Sequence, residues 1–261
     1  MQLAVNFSWQ LGQLLQENAI TVDLIKCPEW AGMVNSASKF GKVTVHFEIG
    51  IGNGSVKNLD FEMIKRFLRT TDTPHLNVHL LGDSTLTADS KPDEIRLLDR
   101  WKIDIEYLKL RLPDQNIVAE NLPYLPTYPE NRISSRPWLI QELLTSQDIG
   151  FLLDLSHLRI TAHYENLDFK AFASEFPLDR IEEMHLTGLK TYANYLTDHF
   201  EMGKEDFAAA RWATSQIKAG LWQSPKVVAF EYGGAGDVFS WRSEISVLRD
   251  QVPQLYALIH S

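Results

Sequence analysis

FLLDLSHL, residues 151–158, is the stretch that decides the fold. Its apolar start reads as a strand buried on both faces, the pattern of a parallel sheet covered by helices. Asp154 stands at the strand's end and His157 follows three positions later. Packing alone does not explain a carboxylate there, because burying a charge is expensive unless it is paired or coordinated.

Working outward, seven more short apolar, β-branched runs read as strands: LAVNF (3–7), ITVDLI (20–25), KVTVHFEI (42–49), LNVHLL (76–81), NIVAEN (116–121), IEEMHLTG (181–188) and KVVAFEY (226–232). With GFLLDL (150–155) they make eight. Between them lie helical patterns at 59–70, 94–112 and 205–222. SRPWLIQELLT (135–145) has serine and proline where a helix begins, and Pro253 predicts a break or kink within 240–259. Alternating strands and helices predict an α/β fold. Eight units in 261 residues match a single (β/α)8 TIM barrel spanning 1–261. A doubly wound sheet is the alternative, but IGNGSVKN (51–58) lacks the GxGxxG spacing of a phosphate loop and does not run straight into a helix.

The composition narrows the classes. A net charge of −9 argues against nucleic acid and acidic membranes as partners. One cysteine, Cys27, excludes an intramolecular disulfide and a cysteine-based zinc cage, and it reads as a small buried hydrophobe. No apolar run approaches the roughly 18 residues of a membrane span. The N-terminus lacks the charged and apolar regions of a signal peptide, so a cytoplasmic location is expected.

Ionisable residues recur at strand ends: His46 and Glu48, His79, Glu120, Asp154 with His157, His185, and Glu231, with Asp198 and His199 in the connection after 188. Those ends form the mouth where barrel active sites are built. Singly, each has a structural explanation, such as a hydrogen-bonded histidine or a capping aspartate. Together, converging carboxylates repel one another unless cations neutralise them. Imidazoles interleaved with carboxylates suit borderline divalent metals. His75, His163 and His260 fall outside this pattern and are read as structural.

With those positions in hand, the chain resembles the xylose isomerase-like TIM-barrel superfamily, which includes sugar isomerases, endonuclease IV and the multinuclear iron oxidases of methanobactin biosynthesis. The ligand order of endonuclease IV matches His46, His79, Glu120, Asp154–His157, His185, His199 and Glu231. AENLPY (119–124), LLDLSHL (152–158) and EMHLTG (183–188) look most like the methanobactin-oxidase family. One departure concerns the third metal position. Aligned through Gly203, the expected aspartate is Thr197, with Asp198 adjacent to His199, so either Asp198 substitutes by a local shift or the third metal position is weakened or absent.

The resemblance implies more than one divalent or mixed-valent metal ion (iron, zinc or manganese) and oxidative or hydrolytic chemistry on a small polar or peptide substrate. Glu120, Glu231 and Lys190 are the catalytic candidates, and Tyr124, Lys190 and Tyr232 the substrate-binding ones. Alternatives are a sugar or sugar-phosphate isomerase or epimerase using the quartet Glu120, Asp154, His185 and Glu231, a phosphodiester hydrolase, and a non-catalytic metal-binding barrel. The acidic charge counts against the hydrolase. HLTG (185–188), where such isomerases often have a more acidic segment, counts against the isomerase. GGAGD (233–237) reads as a loop over the mouth or a turn into the last helix.

Overall fold

A computed structural model describes residues 1–234 and 242–261. Its main sheet is parallel throughout. The strands are β1 (Gln2–Asn6), β2 (Leu24–Pro28), β3 (Val43–His46), β4 (Gly50–Ile51), β5 (Leu76–Leu80), β6 (Ile117–Glu120), β7 (Gly150–Asp154), β8 (Ile181–Leu186) and, after a hairpin of β9 (Gly188–Tyr192) and β10 (Tyr195–Phe200), β11 (Val227–Phe230). The spatial order is β3-β2-β1-β11-β8-β7-β6-β5-β4.

The two edge strands are consecutive in the chain, and this is how the barrel closes. The expected third strand, 42–49, is split: β3 pairs with β2, and three residues later β4 pairs with β5. At the split, the Asn77 side chain stands in for backbone. It accepts from Phe47 N–H at 2.8 Å and donates to the Phe47 carbonyl at 3.0 Å. The remaining expected strands sit where the apolar runs placed them, except the second. ITVDLI points to 20–25, yet β2 is Leu24–Pro28. Pairing with β1 runs from Leu24 onward; at Asp23 the N–H still donates to the Leu3 carbonyl at 3.0 Å, but Leu3 N–H goes to the Asp23 side-chain carboxylate at 2.6 Å.

Helices cover the outside: α1 (Trp9–Gln16), α2 (Ala31–Ala37), α3 (Phe61–Thr70), α4 (Lys91–Arg111), α5 (Asn131–Ser134), α6 (Pro137–Gln147), α7 (Leu155–Glu165), α8 (Phe169–Ala173), α9 (Lys204–Lys218) and α10 (Ile245–His260). The fully buried Trp101 anchors α4 to the sheet, its indole N–H donating to the Leu81 carbonyl at 3.0 Å. Ser135 does not cap α6, since its hydroxyl bonds the Arg132 carbonyl and Arg136 takes the cap position.

The expected break at Pro253 does not occur, and α10 runs through it. Pro253 and Arg249, whose carbonyl loses its helical partner, both lie on the exposed side, where water replaces the missing bond. The IGNG loop holds no phosphate cradle. The buried Asp104 carboxylate accepts from Gly52 and Gly54 N–H at 2.7 and 3.1 Å, filling the position from within. The stretch GGAGD lies partly outside the described residues. Among the described residues, no helix is long and apolar enough to cross a membrane.

Candidate metal centre

Parallel register does the first part of the assembly. It sets His79 on β5 beside Glu120 on β6, and Asp154 on β7 beside His185 on β8. Side-by-side residues of parallel strands face the same way, so these four converge at the C-terminal mouth. Asp154 is also the N-cap of α7, accepting from His157 N–H at 2.8 Å through Oδ1. The cap and the site use different oxygens of one carboxylate, so both explanations of Asp154 hold.

Glu120 sits at the centre with its two oxygens turned to two sets of nitrogens. Oε2 lies 3.2 Å from His79 Nε2 and 3.5 Å from His46 Nε2, and those two nitrogens are 3.1 Å apart. Oε1 lies 3.4 Å from His185 Nδ1, which is also 3.6 Å from Asp154 Oδ2 and 3.4 Å from Glu231 Oε1. Among the described residues, five buried side-chain atoms lack a hydrogen-bond partner, and three of them are Glu120 Oε2, Asp154 Oδ2 and His185 Nδ1. Unpaired donors and acceptors aimed at one another are costly unless a cation binds them. Groups of donor atoms close enough to hold a metal ion include His46–His79–Glu120 and Asp154–His185–Glu231. The donors fit divalent metals.

A third cluster lies at the hairpin. Neighbours on a regular strand point to opposite faces. Here β10 is irregular between Thr197 and Phe200, and His199 takes a left-handed backbone at φ 63°. The bulge lets Asp198 reach 3.0 Å from His157 Nε2 while His199 lines the cavity. His157 Nδ1 and His199 Nδ1 donate to the carbonyls of Asn121 (2.7 Å) and Glu231 (3.2 Å), which leaves each Nε2 for the centre. Gly188 of the HLTG stretch permits this arrangement. A Cβ there would stand 1.9 Å from the Glu201 carbonyl oxygen, so only glycine lets the hairpin return this closely.

Electrostatics agree with a site built for cations. Burial opposes the charged form of every group here, and the neighbours overcome it. His79 and His185 hold the Glu120 carboxyl well below its ordinary range. The Glu231 carboxylate pushes His185 well above the ordinary imidazole value, and Asp154 with Asp198 raises His157 to about 10. Asp198 falls to about 2 beside His199 and His157. His46 is the exception: burial, then Lys26, keep it well below its ordinary value, hence neutral.

A cavity of about 360 Å³ opens above these ligands, with Asn6, Phe7, Trp30, Met33 and Leu122 on its walls. Glu120 and Glu231 line it. The other chemical candidates do not. Lys190 is exposed on β9 and ion-paired with Glu201. Tyr124 lies against Tyr164, its N–H bonded to Thr161, and Tyr232 is buried with its hydroxyl accepting from Glu244 N–H at 3.1 Å.

Two residues missed by sequence reasoning are central. Lys26, buried on β2, bonds Glu231 and lies 2.8 Å from His185 Nε2. Glu183, also buried, receives His185 Nε2 at 2.8 Å and His75 Nε2 at 2.6 Å. Glu183 was findable, because it stands two positions before His185 and a strand's period of two puts both inside. Lys26 was hidden by the misplaced second strand.

Fold and site together define a TIM barrel with His/Asp/Glu clusters able to hold metal ions. Comparison with known proteins narrows this. The model of the family "RiPP precursor modification enzyme MbnB/TglH/ChrH" matches residues 97–208, which contain Glu120, Asp154, His157, His185, Asp198 and His199. A UPF0276 protein of Acaryochloris marina is 22% identical over 212 residues, covering 78% of this chain and 71% of the relative. Two solved enzymes share the fold. D-psicose 3-epimerase from Clostridium cellulolyticum H10 superposes with a TM-score of 0.59 at 12% identity, over 100% of this chain and 98% of that one. AP endonuclease, family 2, from Brucella melitensis gives 0.60 at 13%, over 97% and 98%. The resemblance read from the sequence is met by these matches.

Proposed function

We propose that this protein is a metalloenzyme holding two or three metal ions at the barrel mouth and modifying a peptide, or another small polar substrate, by oxidative or hydrolytic chemistry. The observation that carries the reading is Glu120, whose two oxygens face separate nitrogen clusters, so that it would contribute a ligand oxygen to each of them. His46, His79, His157 and His199 have no role in a single-metal quartet. Bound metals supply Lewis acidity and, when redox-active as iron is, electrons.

The chain's own residues do the rest. Phe7, Trp30, Met33 and Leu122 form an apolar wall that suits an amino-acid side chain and excludes water from the reacting end. Glu120 and Glu231 line the same cavity and are held ionised, the form that binds metal ions; a carboxylate not fully engaged there is placed to take a proton from substrate. The description of the matching family supports a peptide as substrate.

A second reading is a sugar or sugar-phosphate isomerase or epimerase, favoured by the complete quartet of Glu120, Asp154, His185 and Glu231 around His185 Nδ1. Metal content per chain, with an aerobic absorption spectrum and oxygen uptake, separates them. Two or three equivalents, iron with charge-transfer bands above all, support the first. A single equivalent, lost in Glu231→Gln, transfers the case to the isomerase, and no metal uptake overturns both.

A further inference from the structure

Three further buried ionisable residues adjoin the ligands: Lys26 from β2, which also lines the cavity, and, away from it, His75 before β5 and Glu183 from β8. Both Glu183 and Lys26 reach the same atom, His185 Nε2, each at 2.8 Å. They make opposite demands. The Glu183 carboxylate only accepts, so it requires a proton on Nε2 and, in the neutral imidazole that a metal ion binds, leaves Nδ1 bare. The Lys26 ammonium only donates, so it favours a bare Nε2 and a proton on Nδ1. Nδ1 is the atom that faces Glu120, Asp154 and Glu231. A metal ion binds the bare nitrogen alone.

We infer that Glu183 is a positioning residue that makes His185 ready for metal, by holding the Nε2 proton against the opposing pull of Lys26. His75 fixes Glu183 from the far side, bonding Oε2 at 2.6 Å so that Oε1 is left pointing at His185. Lys26 in turn directs its protons to Glu231. The inference rests on the proposed metal centre.

The experiment compares wild type, Glu183→Gln, Glu183→Leu and the double variant Lys26→Met/Glu183→Leu, by zinc affinity from chelator competition and by ¹⁵N NMR of the histidines in the zinc-loaded proteins. Circular dichroism checks folding. Loss of a bond that orients a metal ligand weakens affinity by about 10- to 100-fold. Glu183→Leu is expected to fall in that range, with the His185 signals losing the Nε2-protonated pattern of wild type. Glu183→Gln keeps an acceptor oxygen and stays within a few-fold of wild type. The double variant recovers part of the loss, because the competing donor is gone; a merely structural Glu183 makes the double variant worse than the single. Wild type that binds zinc while Glu183→Leu binds equally well, or a double variant weaker than the single, overturns this inference and leaves the metal centre standing. Wild type that binds no zinc overturns both.

Discussion

Asp154 offers a test in which cap and ligand are separable. Its Oδ1 accepts from His157 N–H at 2.8 Å, and its unpaired Oδ2 faces the metal cluster. Asp154→Asn keeps the capping oxygen and turns the ligand oxygen into an amide donor. Asp154→Ala removes both. Loss of an N-cap destabilises by about 1 kcal/mol, and leaving a buried N–H unpaired raises this toward roughly 1–3 kcal/mol.

In chelator, therefore, Asp154→Ala is expected to lose roughly 1–3 kcal/mol in urea unfolding. Asp154→Asn keeps the cap and is expected to lose less than Asp154→Ala, the remaining cost being the carboxylate's lost attraction for the protonated His157 and His185. With zinc the ranking changes. A site filled at 100 times its Kd stabilises the fold by about 2.7 kcal/mol, and both variants lack that increment for the Asp154–His185–Glu231 cluster. Urea curves with and without zinc, paired with metal counts, read both effects. Metal-free Asp154→Asn as unstable as Asp154→Ala, or an Asp154→Asn protein with the full zinc increment, refutes the division of labour between the two oxygens.

Other tests address the rest of the molecule. Gly188→Ala drives a Cβ to 1.9 Å from the Glu201 carbonyl oxygen, so the hairpin must shift. If the hairpin cluster of His157, Asp198 and His199 holds one of the proposed ions, metal stoichiometry is expected to drop by that ion, with unchanged circular dichroism. For pH, His157 is raised to about 10 against a background of burial that opposes its charge. Its contribution to metal-free stability is full below its unfolded value of about 6.5 and lost as pH rises through about 10. Asp198, lowered to about 2, contributes above its unfolded value of about 3.9 and loses this as pH falls through about 2. Metal must displace the His157 proton, so affinity at that cluster rises about tenfold per pH unit up to about 10, measurable as proton release by calorimetry in two buffers. Burial pushes the Cys27 thiol up to about 12, so a thiol reagent at pH 8 is expected to leave the folded protein untouched and to label it only after unfolding.

Much of the fold is legible because buried parallel strands announce themselves. Runs such as GFLLDL and KVVAFEY are apolar on both faces, and the helical patterns between them are long enough to read. Ligand types were legible for the same reason: an aspartate or glutamate ending an apolar strand has no apolar explanation. β2 starts later than its apolar run because the deciding fact is a pairing with a distant residue, Ala4 with Leu24. The helix stays unbroken at Pro253 because the carbonyl that loses its partner is on the exposed side.

The sequence by itself determined the alternation of strands and helices, and with it the mouth at which His46, His79, Glu120, Asp154, His185 and Glu231 would meet. Tertiary structure alone decided which atoms face each other. The split of one strand into β3 and β4, the bulge at His199 and the close return at Gly188 depend on contacts between segments far apart in the chain. So does the contest at His185 Nε2, where Lys26 stands 159 residues away in sequence and Glu183 only two. Local propensity carries no record of such distances, because a side chain's partner is set by where the closed sheet brings it.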